Sequence, residues 1–82
     1  MDTLLDVVRV EARPGNILVL DFENGERRFF DMAPYLTQKP FHRLAAQPRF
    51  LRARIENGTV SWPGNIDIAP ETLYLRSTPM NP

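Results

Sequence analysis

Near the carboxyl end of the chain the run VSWPGNIDIAPETLYLRS, residues 60 to 77, crowds the only tryptophan, two prolines and one aspartate into a few positions. A carboxylate held in a turn near Trp62 and Tyr74 could have a raised pKa and act as a general acid or base. Such chemistry usually needs a second positioned group, and none stands near Asp67 in the sequence. The structural reading therefore outweighs the catalytic one: the Asp67 oxygens accept backbone N–H groups from the turn or from the helix start that follows. Asp31 is read in the same way, as the cap of a short helix.

Other reactive groups are sparse. His42 is the only histidine, and no two ligands stand around it at helical spacing, so no metal site is expected. There is no cysteine, hence no disulfide framework, no Cys-ligated zinc and no thiol nucleophile. Ser61, Ser77 and the threonines lie in no nucleophile-elbow pattern, and four scattered glycines form no phosphate-cradling loop. No catalytic residue and no cofactor are therefore expected, and the domain is expected to fold without metal. Arg49, Arg52 and Arg54 make a small basic cluster after Pro48 that could meet phosphate or an acidic partner. The more usual explanation of such a cluster is a solvated face answered by the chain's own acids.

Ten basic and ten acidic side chains cancel over 82 residues, which removes the electrostatic footprint of direct nucleic-acid or anionic-membrane binding. The length fits one domain with a modest core and argues against a large enclosed cavity. Asp2 stands where a secretion signal wants basic residues, and no apolar stretch approaches the ~18 residues that span a bilayer. A soluble cytoplasmic protein is the expectation.

The elements that must position these residues follow from the pattern. Residues 7 to 13 form a strand with Val8, Val10 and Ala12 on one side and Arg9, Glu11 and Arg13 on the other. Pro14-Gly15-Asn16 turns the chain, and Asn24-Gly25 then joins two further strands as a hairpin. A two-residue loop there sets Asp21 opposite Arg28 and puts Leu18, Leu20, Phe22 and Phe29 on a core face. Ile17, Val19 and Phe30 fall on the other face, a candidate interface.

Between residues 37 and 51 the prolines limit any helix to a turn or two, with Phe41, Leu44, Phe50 and Leu51 turned inward. Asn57-Gly58 folds a second hairpin that pairs Ile55 with Val60, Ala53 with Trp62 and Arg54 with Ser61. After Trp62 the chain bends at Pro63-Gly64-Asn65. Ile66 and Ile68 point one way with Asp67 the other, and Pro70-Glu71 starts a final helix. The expected architecture is α+β: a small, mainly antiparallel sheet of two Asn-Gly hairpins plus the first strand, with short helices packed on one face. Residues 1–77 form the single compact domain and 78–82 a frayed tail.

Together these blocks resemble a family. The pattern F-x-N-G-E (Phe22, Asn24, Gly25, Glu26) is followed by F-D-x-x-P-x-L (Phe30, Asp31, Pro34, Leu36) and by Phe41, Leu44 and Phe50. The most specific block, W-P-x-x-I-D-I-x-P-E-x-L-Y, includes Trp62, Pro63, Asp67, Pro70, Leu73 and Tyr74. From Val8 to Ser77 the chain resembles the bacterial domain-of-unknown-function family DUF2442. The resemblance implies a compact α+β domain found alone or ahead of a helix-turn-helix domain, sometimes encoded beside another small protein as in toxin and antitoxin pairs. It implies no established activity and no catalytic residue. Ala69 departs from relatives that often carry Ser or Asp before the helix proline, so the last helix is expected to lack a side-chain cap.

The function the sequence supports best is that of a non-catalytic binding module pairing with another protein, encoded nearby, or with itself as a homodimer. Regulation of transcription alongside a separate helix-turn-helix protein is the alternative. A small ligand-binding protein or an enzyme using Asp67 comes third.

Overall fold

The computed structural model describes residues 5–80; the acidic amino terminus and the last two residues of the expected tail lie outside the described residues. The fold is α+β and mostly strand, as expected, but its strands form two antiparallel sheets instead of one. The first has the order β1-β2-β3-β7, with β1 Val7–Arg13, β2 Ile17–Phe22, β3 Arg27–Asp31 and β7 Thr78–Pro79. The second has the order β4-β5-β6, with β4 Arg54–Glu56, β5 Thr59–Trp62 and β6 Ile66–Ile68. Short helical pieces fill the connections: 3-10 turns at Ala33–Tyr35 and Phe41–Ala45, α1 at Gln47–Phe50 and α2 at Pro70–Leu75. Among the described residues no helix is long and apolar enough to cross a membrane.

Both sheets face one apolar core. Leu18, Leu20, Phe22 and Phe30 enter it from the first sheet, Val60, Trp62, Ile66 and Ile68 from the second, and Leu44, Phe50 and Leu73 from the helical pieces. The Val7 N–H donates to the Gly58 carbonyl at 2.9 Å, which ties the start of β1 to the turn of the second sheet.

The first strand corrects the expected alternation. Val7 pairs with Phe22 but Arg9 with Asp21, so one extra residue, Val8, bulges out of register. The bulge lets Val7, Val10 and Ala12 share a face although their spacing is not even. Val8, expected inside, is 57% exposed.

A second correction concerns the first hairpin. Asn24-Gly25 suggests a two-residue loop, but the chain makes a three-residue loop, Glu23 to Gly25. The Gly25 N–H donates to the Phe22 carbonyl and the Phe22 N–H to the Glu26 carbonyl, each at 2.9 Å. Gly25 sits at φ 89°, in the left-handed region that a glycine enters without steric cost. Asn24 is better used by its side chain, whose Oδ1 accepts the Glu26 N–H at 3.0 Å. The register is thereby shifted by one residue, so Asp21 meets Arg27 and not Arg28, and Leu18 meets Phe30. A slip of one residue exchanges faces. Phe30, read from the sequence as a candidate interface residue, is core at 1% exposure, and Phe29, read as core, lies on the outer face.

The second hairpin keeps the expected register, although its ladder starts at Arg54, so that the expected pairing of Ala53 with Trp62 is not part of it. Arg54 pairs with Ser61 and Ile55 with Val60. Asn57 at φ 54° and Gly58 at φ 76° supply the two left-handed residues of a tight two-residue turn.

Two smaller differences remain. Leu51 is 44% exposed instead of turned inward, because α1 ends at Phe50 and uses that residue as its anchor. The segment expected to fray is paired at its start: Thr78 and Pro79 lie along β3 beside Phe29 and Arg28, and the Met80 N–H donates to the Arg27 carbonyl at 2.9 Å.

Candidate functional site

Trp62 closes β5 with its ring fully buried. Its indole Nε1 donates to the Phe50 carbonyl at 2.9 Å, and the two rings stack with centroids 6.2 Å apart. One residue thus fastens α1 onto the second sheet by both a hydrogen bond and an aromatic contact. Pro63 then turns the chain through Gly64 and Asn65, which both have positive φ, so that β6 can return beside β5. Ile66 and Ile68 enter the core and Asp67 points away, as the alternation requires.

Asp67 is exposed, stands opposite Ser61 in the ladder, and accepts no hydrogen bond among the described residues. The expected structural task, accepting N–H groups from the turn or the helix start, therefore finds no support in the contacts. The start of α2 has no side-chain cap; Ala69 holds the extended conformation and Glu71 lies in the first turn. Asp67→Asn is accordingly expected to shift stability by no more than about 0.5 kcal/mol. A urea titration of both proteins checks it, a larger loss meaning that the carboxylate has a partner in solution.

Tyr74 takes part in a cluster that the sequence reading did not find. Its ring meets Phe22 edge-on at 5.1 Å and its hydroxyl donates to Glu26 Oε2 at 2.9 Å. The Arg28 guanidinium lies 4.4 Å from the centre of that ring, within reach of a cation–π attraction. The same guanidinium donates through Nε to Ser77 Oγ at 2.6 Å, through Nη2 to the Ser77 carbonyl at 3.0 Å and through Nη1 to Glu26 Oε1 at 2.7 Å. Arg28 sits on the core side of β3, opposite Leu20, so its charge needs these partners. Together they bind α2 and the Ser77 link to β7 against β3 of the first sheet. The only signal available in the sequence was Arg28 beside Phe29 and Phe30, and the slipped register hid it.

The hydrogen bond from Tyr74, followed by that from Arg28, holds the Glu26 carboxyl below its ordinary pKa, and the same bond raises the Tyr74 hydroxyl. Asp21 is held low by the hydrogen bond from Arg27. A carboxyl whose pKa is lower in the folded state contributes stability above its unfolded value and loses it as pH falls through the folded value. The urea midpoint is therefore expected to fall as pH drops from about 5 toward 3, and less steeply in Glu26→Gln. Equal slopes in the two proteins would contradict the cluster.

On the outer face of the first sheet, Ile17 and Phe29 are half-buried and Val19 is 6% exposed. Arg9, Asp21 and Arg27 form a charged row beside them, with Arg27 at 2.7 Å and Arg9 at 3.8 Å from Asp21. The 3-10 turn after Asp31 does not fold over this face, because Tyr35 stacks on Phe30 of the core side at 5.4 Å. Asp31 Oδ1 does accept a backbone N–H there, from Ala33 at 3.0 Å.

A different surface collects positive charge. Ala46, Pro48, Arg49, Arg52 and Pro63 line an open depression of about 350 Å³ between α1 and the Pro63 turn. Arg43 reaches the same turn from the other side, Nη2 donating to the Gly64 carbonyl at 3.1 Å. Arg54 points elsewhere, to the outer face of the second sheet near Glu56, 3.9 Å away. The expected trio of Arg49, Arg52 and Arg54 is therefore replaced by Arg43, Arg49 and Arg52. His42 is exposed, and among the described residues no three of His, Cys, Asp or Glu converge to hold a metal ion.

No curated protein and no solved structure matches the chain. One family model does, over residues 7–79, nearly the whole length: that of the protein of unknown function DUF2442. On that match the chain belongs to the DUF2442 family.

Proposed function

We propose that this chain is a bacterial, cytoplasmic, non-catalytic domain that binds another protein. The distribution of charge carries the reading. The chain is neutral overall, yet residues 32–55 hold five of its ten basic side chains and none of its ten acids. Arg9, Arg13, Arg27, Arg28 and Arg54 each come within 4 Å of a carboxylate. Arg43, Arg49 and Arg52 reach none among the described residues, and all three border one turn. Positive charge gathered on one surface, with the acids segregated to the rest of the chain, steers a complementary partner and sets its orientation.

Asp67 shares a small polar depression with Arg54, Glu56 and Ser61, but the Ser61 hydroxyl donates to Glu56 and no hydrogen bond reaches Asp67 among the described residues, which favours binding over catalysis. The outer face of the first sheet offers less to a partner, since Val19 is largely covered and Phe30 belongs to the core.

The test is co-purification from native cells, followed by rebuilding the complex from two purified components and measuring its mass by light scattering at low salt. A defined complex with one protein is expected, and the identity of that partner tells whether a helix-turn-helix regulator is involved. A chain that stays alone with every candidate, or forms only dimers of itself, would overturn the reading.

A further inference from the structure

We infer that the depression between α1 and the Pro63 turn seats an acidic side chain from an extended segment of the partner protein. The inference rests on the binding role proposed above and names its chemistry. Arg49 and Arg52 line the depression, and Ala46, Pro48 and Pro63 give it an apolar floor. A guanidinium presents a planar fork that takes a carboxylate through two parallel hydrogen bonds, and the floor receives the methylenes that carry the carboxylate. Arg43, held at the same turn by the Gly64 carbonyl, stands outside the lining of the depression and adds only its positive charge to the field there.

The walls are also fixed before any ligand arrives. Pro48 and Pro63 restrict the backbone, and the Phe50–Trp62 stack with its hydrogen bond fastens α1 to β5. A site ordered in advance loses little entropy on binding.

A peptide fits better than a nucleic acid for two reasons. No aromatic side chain lines the depression, so a base has nothing to stack on. Outside residues 32–55 the chain carries ten acids against five bases, which repels a polyanion long enough to run past the depression. A short acidic stretch with apolar neighbours meets neither obstacle.

Fluorescence anisotropy of the full chain tests this with three probes: a labelled peptide of alternating glutamate and leucine, labelled oligothymidylate of matching length, and inorganic phosphate as competitor. Saturable peptide binding is expected, weakened by salt and reduced at least about tenfold by Arg49→Glu with Arg52→Glu. Arg76→Glu, an exposed charge outside the basic segment, should leave it unchanged. Trp62 fluorescence verifies that each variant is folded. Absence of saturable peptide binding, equal binding by the double variant, tighter binding of oligothymidylate, or displacement of the peptide by low phosphate would each overturn the inference. A partner protein that binds parent and double variant alike would remove the depression but leave the binding role standing.

Discussion

Trp62→Ala is expected to destabilise the domain by about 3–5 kcal/mol. The residue is fully buried, and its removal leaves a cavity between the second sheet and α1. It also leaves the Phe50 carbonyl without its indole donor in a buried place. Because the substitution removes the only tryptophan, unfolding has to be followed by circular dichroism in urea. Trp62→Phe separates the two effects, since it keeps most of the packing and loses the hydrogen bond. It is expected to cost less than the alanine variant, and a loss within about 0.5 kcal/mol for Trp62→Ala would mean that the ring does not join α1 to β5.

Phe30→Ala should cost a similar ~3–5 kcal/mol, and Phe29→Ala clearly less. The pair decides the register of the first hairpin. With a three-residue loop, Phe30 stands opposite Leu18 in the core and stacks on Tyr35, whereas Phe29 stands opposite Val19 on the outer face and is only half-buried. A two-residue loop would reverse the order of the two losses. Urea unfolding of both variants, measured side by side, therefore reads the register without any further structure. The result also bears on function, because the same slip takes Phe30 away from the outer face.

The legibility of the fold differed from turn to turn, for physical reasons. At Asn57-Gly58 both residues of the turn adopt positive φ, so turn type, register and apolar pattern agree and the hairpin could be read residue by residue. At Asn24-Gly25 the same two letters form a different loop, because Asn24 Oδ1 accepts the Glu26 N–H and Gly25 alone takes the left-handed conformation. A dipeptide does not say which turn it makes, and adjacent phenylalanines at 29 and 30 fit either register. In β1 the bulge at Val8 broke an alternation that looked regular on paper. The return of β7 along β3 could not be read at all, since two residues of strand have no period.

The candidate site was legible only in part. The crowding of Trp62, Pro63 and Ile66 marked a place where the chain is fastened, and Trp62 does fasten it. The alternation placed Asp67 on the side away from Ile66 and Ile68, but among the described residues neither the turn nor the helix start donates a hydrogen bond to it. The basic trio was read as Arg49, Arg52 and Arg54 because they are close in the chain. In space Arg54 belongs to a strand and turns to the outer face, while Arg43 arrives from a separate 3-10 turn to meet Gly64. Neutrality over the whole chain concealed the segregation, because a sum of charges carries no information about where they lie.

The proposed binding surface is the basic segment and the turn beside it, and not the sheet face that the sequence first suggested. Amide hydrogen exchange, comparing the chain alone with the chain in its rebuilt partner complex, tests that claim most directly. Slowed exchange is predicted at residues 43–54 and at Gly64 and Asn65, with Ile17, Val19 and Phe29 unchanged. Slowing confined to β2 and β3, with the basic segment exchanging as it does in the free chain, would contradict it.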